Sequence, residues 1–422
     1  MAAGGLAVAV PAGLSWYLAR KIQSEALAVA PCPAVPAYDD ARFVGLSPGQ
    51  ARLVAIGQQP ALSTPGLYGI AWPGGSGHLG ASIVADGAVV TRPLTVAFGS
   101  APRVGQLAAL DKAYFLGDVS AALGIPVEQV ALPGPLGPLP TWYFPGRRET
   151  FVIGVHGQNG SRKDVLRIVD IAHRTGFPAL AVTYRGDLGV APDPSGYFRY
   201  GQTEWRDLEA AVRWSLAHGA RSVILVGQSM GGGIVAAFLR YSPLAARVER
   251  VVFDAPMLDL RAAVDHQVRR HTSPVTGRLV APLVWMAERI AGVRFGVDWS
   301  AIAYLDETTW LKVPALVIHG DDDLRVPVSI SATLKELHPS LVDFEVFPGA
   351  GHLESWNIDR ARYTSLVRSF LTSVASAALL LDGSTSRTVS WCRAVTGVQV
   401  EHHRGSGLPG CCPGSRAPGR AI

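Results

Sequence analysis

The sequence predicts an α/β fold: a mostly parallel central sheet flanked by helices, with a helical cap insert and a small β-rich unit ahead of it. Two observations predict it. From residue 150 onward, short apolar runs alternate with segments of helical period, the pattern of strands buried on both faces between crossover helices. The 422 residues are 48% hydrophobic and 17% charged, enough for a large core and too apolar for a disordered chain. Four cysteines exclude a disulfide-built scaffold. The net charge of +5 is concentrated at the ends, with five arginines against Asp382 and Glu401 in the last stretch. The body is near neutral and has no clustered basic stripe, which argues against a nucleic-acid partner.

The elements follow in chain order. Residues 2–19 carry no charge, Trp16 and Tyr17 precede Arg20 and Lys21, and no basic residue comes before the run. The stretch 1–25 therefore reads as a membrane-anchor helix, not a cleaved signal, with the catalytic body membrane-associated on the cytoplasmic side. Residues 36–130 are rich in glycine and alternating β-branched residues, as in LYGIAWPGGSGHLGASIVADGAVV, and predict a small antiparallel unit with tight turns. A larger domain is expected over 134–378. Its first strands fall within 134–146, and FVIGVHG (151–157), PALAVTYRG (178–186), SVILVG (222–227), RVVFDAP (250–256), PALVIHG (314–320) and VDFEVFPGAGH (342–352) continue the sheet. Between them, RKDVLRIVDIAHRTG and EWRDLEAAVRWSLAHG read as helices, the second with Thr203 as N-cap, Gly219 as stop and an apolar stripe of Trp205, Leu208, Val212 and Leu216. A last helix is expected over 358–376.

Residues 258–310 interrupt this rhythm with a mostly helical insert, placed to cap the strand ends where ligands bind in open α/β sheets. Its Leu283, Val284, Trp285 and Met286 could line an acyl pocket, though helix packing explains them as well. After Leu381 the composition changes to Gly, Ser, Arg and Pro without apolar period. The tail 382–422 is expected to be disordered and resembles a frameshifted or read-through end. Its Cys392, Cys411, Cys412, His402 and His403 fit no zinc-ligand spacing.

The chemistry is concentrated in SVILVGQSMGG. Gly227-Gln228-Ser229-Met230-Gly231 is a G-x-S-x-G at a strand-to-helix junction, the nucleophile elbow. The strained turn needs small residues two before and two after the serine, and it lifts the hydroxyl of Ser229 to the N-terminus of the next helix. A neutral serine needs a base. His352, in PGAGHLESW, follows the last predicted strand and opens a loop there. The orienting acid has four candidates just after strands: Asp254, Asp321, Asp322 and Asp323. One oxyanion donor is the N–H of Met230, after the nucleophile. The second is expected in HGQNGS, after the first strand of the parallel core, from Gln158 or else Asn159.

Together these features resemble the α/β-hydrolase superfamily over residues 140–376. TEWRDLEAAVRW, GQSMGGG and HGDDDLRVP are similar to the branch of serine aminopeptidase-like and prolyl-oligopeptidase-like hydrolases, which includes many bacterial membrane-anchored proteins. The resemblance implies an α/β-hydrolase fold and selects Asp323, the fifth position of H-G-x-x-D-x-x-V-P, as the acid. It implies a Ser229–Asp323–His352 triad working without metal or other cofactor on a small-molecule or acyl substrate. The expected function is a serine hydrolase of carboxylic esters. The alternatives are a peptidase of the same fold and a non-catalytic membrane-tethered binding protein.

Overall fold

The strands that build the candidate site belong to an eight-stranded sheet, seen in a computed structural model that describes residues 13–31, 36–57 and 59–373. Its strands are β8 (Glu128–Gly134), β9 (Gly137–Phe144), β10 (Thr150–Val155), β11 (Ala179–Ala181), β12 (Ser222–Gln228), β13 (Val248–Asp254), β14 (Ala315–Gly320) and β15 (Val342–Phe347), in the order β15-β14-β13-β12-β10-β11-β9-β8. β10 to β15 run parallel, and the β8–β9 hairpin joins antiparallel at the β11 edge. Period two divides each parallel strand between two cores. Val223 and Leu225 face the helices Trp205–Ala217 and Met230–Tyr241, whereas Ile224 and Val226 face Leu166–Arg174 and Arg360–Thr372. β10 pairs with β11 on one side and β12 on the other, so the chain order reverses there. A crevice opens beyond the carboxyl ends of strands at such a switch point.

The strand expected over 178–186 is shorter in the structure, because Asp187 turns the chain by accepting the Tyr184 N–H at 2.9 Å. The helix expected from Thr203 starts at Trp205 without a side-chain cap from Thr203. The carboxylate of Glu204 instead closes the preceding turn, accepting the N–H of Arg199 at 2.6 Å and of Gly201 at 2.9 Å. The insert between β13 and β14 supplies the helices Leu260–Arg270 and Pro274–Phe295.

Ahead of this sheet lies a closed antiparallel barrel. Its strands β1 (Ala41–Ser47), β2 (Gln50–Ala55), β3 (Tyr68–Trp72), β4 (Gly75–Leu79), β5 (Val84–Asp86), β6 (Val89–Gly99) and β7 (Leu107–Asp111) follow the order β2-β1-β7-β3-β4-β6-β5, and β2 also pairs with β6. That extra pairing closes the sheet and leaves only β5 as an outer strand. Gly49 at φ 71° and Gly74 at φ 91° supply the left-handed residues of two tight turns. The interior holds Phe43, Leu53, Ile70, Trp72 and Val90, together with fully buried Arg92. Arg92 keeps its charge there by donating to the carbonyls of Ala61, Leu62, Thr64, Gly66 and Gly80.

The expected N-terminal membrane helix, and the membrane localisation and cytoplasmic orientation that followed from it, do not hold. Among the described residues no helix is long and apolar enough to cross a membrane. Residues 13–21 are helical and pass into a π-helical turn, Ile22–Leu27. Ala19, Ile22 and Leu27 are buried in the same core as β10 and β12. Within the described part of the apolar run, Ala19 is covered by protein, whereas Leu14, Trp16 and Tyr17 are exposed. Residues 1–12, and the tail 382–422 with its cysteines and histidines, lie outside the described residues.

Candidate active site

The elbow is where backbone sterics dictate residue type. Ser229 sits at φ 50° and ψ −120°, a conformation L-residues reach only under constraint. A Cβ on Gly227 would lie 2.6 Å from the Gly231 carbonyl oxygen, and one on Gly231 2.3 Å from that of Val155. Both positions therefore exclude any side chain. Ser229 directly follows β12 and is the N-cap of the helix Met230–Tyr241, whose first N–H groups have no intrahelical acceptor. The N–H of Met230 is among them.

The loops after β14 and β15 bring the partners in. His352 Nε2 lies 3.0 Å from Ser229 Oγ, and His352 Nδ1 lies 2.7 Å from Asp323 Oδ2. Asp323 Oδ1 accepts the N–H groups of Arg325 at 2.8 Å and Val326 at 2.9 Å. Burial pushes the Asp323 carboxyl up, but the fields and hydrogen bonds of His352 and His319 outweigh it and hold it well below the usual carboxylate range. The other three acids do not meet His352 in this way. Asp321 accepts the Gly349 N–H at 2.7 Å, Asp322 donates its own N–H to the Ala350 carbonyl at 3.1 Å, and both side chains are exposed. Asp254 is fully buried against the helix Arg360–Thr372, where it accepts from Tyr363 at 2.9 Å. A Cβ on Gly320 would sit 2.0 Å from the Ala350 oxygen, so glycine is what lets the two loops close up.

The loop after β10 covers the serine from the other side. A Cβ on Gly157 would approach Ser229 Cβ to 3.0 Å, and the Gly160 N–H closes a turn onto the Gly157 carbonyl at 3.2 Å, with Asn159 at φ 53°. The Gln158 side chain is turned away, donating to the Ala26 carbonyl at 2.7 Å. Asn159 Oδ1 accepts the Ala30 N–H at 2.7 Å. The N-terminal segment thus straps this loop in place.

Several residues that sequence reasoning missed support the site. His156 Nε2 meets Asp187 at 2.9 Å, and Tyr184 donates to the Gly157 carbonyl at 2.7 Å. Burial disfavours charge on His156, but Asp187 outweighs it and raises its pKa. His319 Nε2 faces both Asp323 Oδ2 at 3.2 Å and the Val326 carbonyl at 3.0 Å, two acceptors, so that nitrogen bears a proton. The H-G before the aspartates signalled His319; nothing local signalled Asp187. From the cap, Arg270 donates to the Leu324 carbonyl at 3.1 Å, next to Asp323. Of the four cap residues considered for an acyl pocket, Val284 is buried and Leu283 half-buried, while Trp285 and Met286 are 56% and 43% exposed. The cavity that Trp285 does line, about 650 Å³ with Arg261, Glu288 and Trp299, includes none of Ser229, Asp323 and His352.

Residues 146–292 match the family model described as serine aminopeptidase, S33. Uncharacterized proteins from two strains of Mycobacterium tuberculosis are 27% identical over 250 residues, which is 56% of this chain and 75% of theirs. Similar solved structures include an esterase of Pyrococcus furiosus at 20% identity, covering 60% of this chain and 95% of that one with a TM-score of 0.46. Another is an esterase of Exiguobacterium antarcticum at 16% identity, covering 58% of this chain and 100% of that one with a TM-score of 0.43. A parallel sheet with its serine elbow after β12 and an antiparallel hairpin at one edge gives the body of this chain the α/β-hydrolase fold, and residues 146–292 within it are similar to that serine aminopeptidase family.

Proposed function

We propose that this α/β-hydrolase is a serine hydrolase of carboxylic esters working through an acyl-enzyme. The observation that carries the reading is the hydrogen-bonded chain from Ser229 through His352 to Asp323. Ser229 Oγ attacks the ester carbonyl while His352 Nε2 takes its proton. Asp323 fixes the tautomer by accepting from Nδ1 and stabilises the imidazolium. The N–H groups of Met230 and Gln158 receive the oxyanion, at about 3 kcal/mol per donor. The C–O bond to the alcohol breaks as His352 returns the proton to the departing oxygen. Water then gives its proton to His352, attacks the acyl-enzyme, and releases the acid and free Ser229.

Asp323 is held below the usual carboxylate range, so it is ionised throughout the acid limb of the rate profile. Log kcat/KM against pH is expected to rise with unit slope there; a slope of two would mean that Asp323 titrates as well. The stabilisation from its depressed pKa is full above about pH 4 and disappears only as the pH falls through the lower folded value.

The family description favours a second reading, aminopeptidase activity. Such an enzyme must hold a substrate ammonium with an uncommitted carboxylate. Of the buried carboxylates around Ser229, Asp187 is engaged with His156, Glu204 with backbone N–H groups and Glu354 with Lys112, while Asp254, whose Oδ1 has no hydrogen-bond partner, is fully buried and offers no surface to a substrate ammonium. This supports the ester reading. The test compares p-nitrophenyl esters of neutral acids of increasing length with aminoacyl p-nitroanilides, free and N-acetylated. Turnover of the neutral esters, with no preference for a free amino group, is expected. Strict dependence on a free amino group would replace the ester reading with the peptidase one.

A further inference from the structure

The barrel meets the body at the loop that presents His352. Leu353, directly after it, has φ 60°, and its carbonyl accepts from Arg167 at 2.8 Å. Glu354 is buried and ion-paired with Lys112, the residue directly after β7, and it accepts from Tyr68, the first residue of β3, at 3.2 Å. Asn357 donates to the carbonyls of Leu67 at 2.6 Å and Lys112 at 2.9 Å, and its own carbonyl accepts the Leu67 N–H at 2.9 Å. Trp356 packs against Tyr114 with ring centroids 5.2 Å apart. The barrel residues all come from one end of the barrel, where β3 begins and β7 runs out. Behind them the Arg92 guanidinium lies 5.1 Å over the Tyr68 ring, tying this end to the barrel interior.

We propose that the barrel is a positioning element for His352. It acts through Lys112 and Tyr68 on Glu354 and through Leu67 on Asn357. The inference rests on the reading of Ser229, His352 and Asp323 given above. The loop has a reason to need a clamp. It holds one non-glycine residue in a left-handed conformation, and it must keep Nε2 at 3.0 Å from Ser229 Oγ and Nδ1 at 2.7 Å from Asp323. A displacement of about 1 Å in such a group can cost roughly 100-fold in rate. Lys112 is half-exposed and Glu354 is not, so removing the lysine strands a buried carboxylate two residues from His352. Its escape toward water would drag the loop with it.

The test uses the full chain with Lys112→Met, Lys112→Arg and Tyr68→Phe, each first checked for folding by circular dichroism and melting temperature. On a p-nitrophenyl ester, Lys112→Met is expected to lower kcat by about 10- to 100-fold with KM within about twofold, because the substrate surface is intact and the base is displaced. Lys112→Arg should restore most of the rate, and Tyr68→Phe should give a smaller loss of the same kind. The downfield Nδ1 proton resonance of the His352–Asp323 bond, assigned by its disappearance in His352→Ala, should shift or broaden in Lys112→Met. Folded Lys112→Met and Tyr68→Phe with wild-type kcat and an unchanged resonance would overturn the proposal. So would a lowered melting temperature with kcat unchanged, which would make the contact structural only. A wild-type chain inert to esters and to a fluorophosphonate would instead strike down the Ser229 reading beneath it.

Discussion

Ser229→Ala is expected to lower kcat/KM toward esters by at least about 10³-fold and to abolish labelling by a fluorophosphonate, with His352→Ala costing a comparable factor. The double variant should be no worse than either single one, because attack and proton removal are one event. Oxyanion donors still bind the carbonyl but have no nucleophile to serve, and only a residual rate over water remains. The effect can be separated from a folding defect by magnitude. Ser229→Ala removes one hydrogen bond, worth about 1 kcal/mol. The expected rate loss corresponds to about 4 kcal/mol of activation free energy. Steady-state kinetics beside a melting curve checks this. Activity retained in either single variant would remove both residues from the mechanism and turn attention to a binding role for the fold.

What could be read from the sequence were the features that local physics dictates. Gly227 and Gly231 announced the elbow because a Cβ at either would strike neighbouring backbone oxygens. The parallel strands β10 to β14 were legible because each is buried on both faces within a few residues. Less visible were contacts whose partners lie far apart in the chain. Nothing near Leu353 announces that Arg167 holds its carbonyl, or that Lys112 and Tyr68 wait for Glu354. The misreading of the N-terminus has the same root. Apolar composition records that a segment avoids water and is silent on whether lipid or protein covers it. Ala19, Ile22 and Leu27 are covered by the hydrolase core, and the carbonyl of Ala26 receives Gln158 and Tyr200. The cap shows the converse. The apolar run around Trp285 has a buried residue at 284 and exposed ones at 285 and 286, a facing that helical period alone left open.

Asp323→Asn should be the more informative loss, because the geometry says how it fails. Asp323 Oδ1 accepts two backbone N–H groups, from Arg325 and Val326, so an asparagine must leave its oxygen there. Its amide nitrogen then faces His352 Nδ1 and His319 Nε2, which lie 2.7 Å and 3.2 Å from the present Oδ2. Both ring nitrogens must become acceptors. His352 is then forced to carry its proton on Nε2, pointing at Ser229 Oγ, where it cannot take the hydroxyl proton. His319 in turn loses its donation to the Val326 carbonyl. The expected result is a fall in kcat of about 10⁴-fold with KM little changed. A stability loss of about 1–3 kcal/mol should accompany it, for the carbonyl left without a donor. Asp321→Asn and Asp322→Asn, in the same loop but exposed and hydrogen-bonded to neither His352 nor His319, should leave kcat within a few-fold of wild type. The three variants side by side locate the acid: a large loss confined to position 323 follows from the tautomer argument, whereas a loss at 321 or 322 with activity kept at 323 would reassign the role to the neighbouring carboxylate.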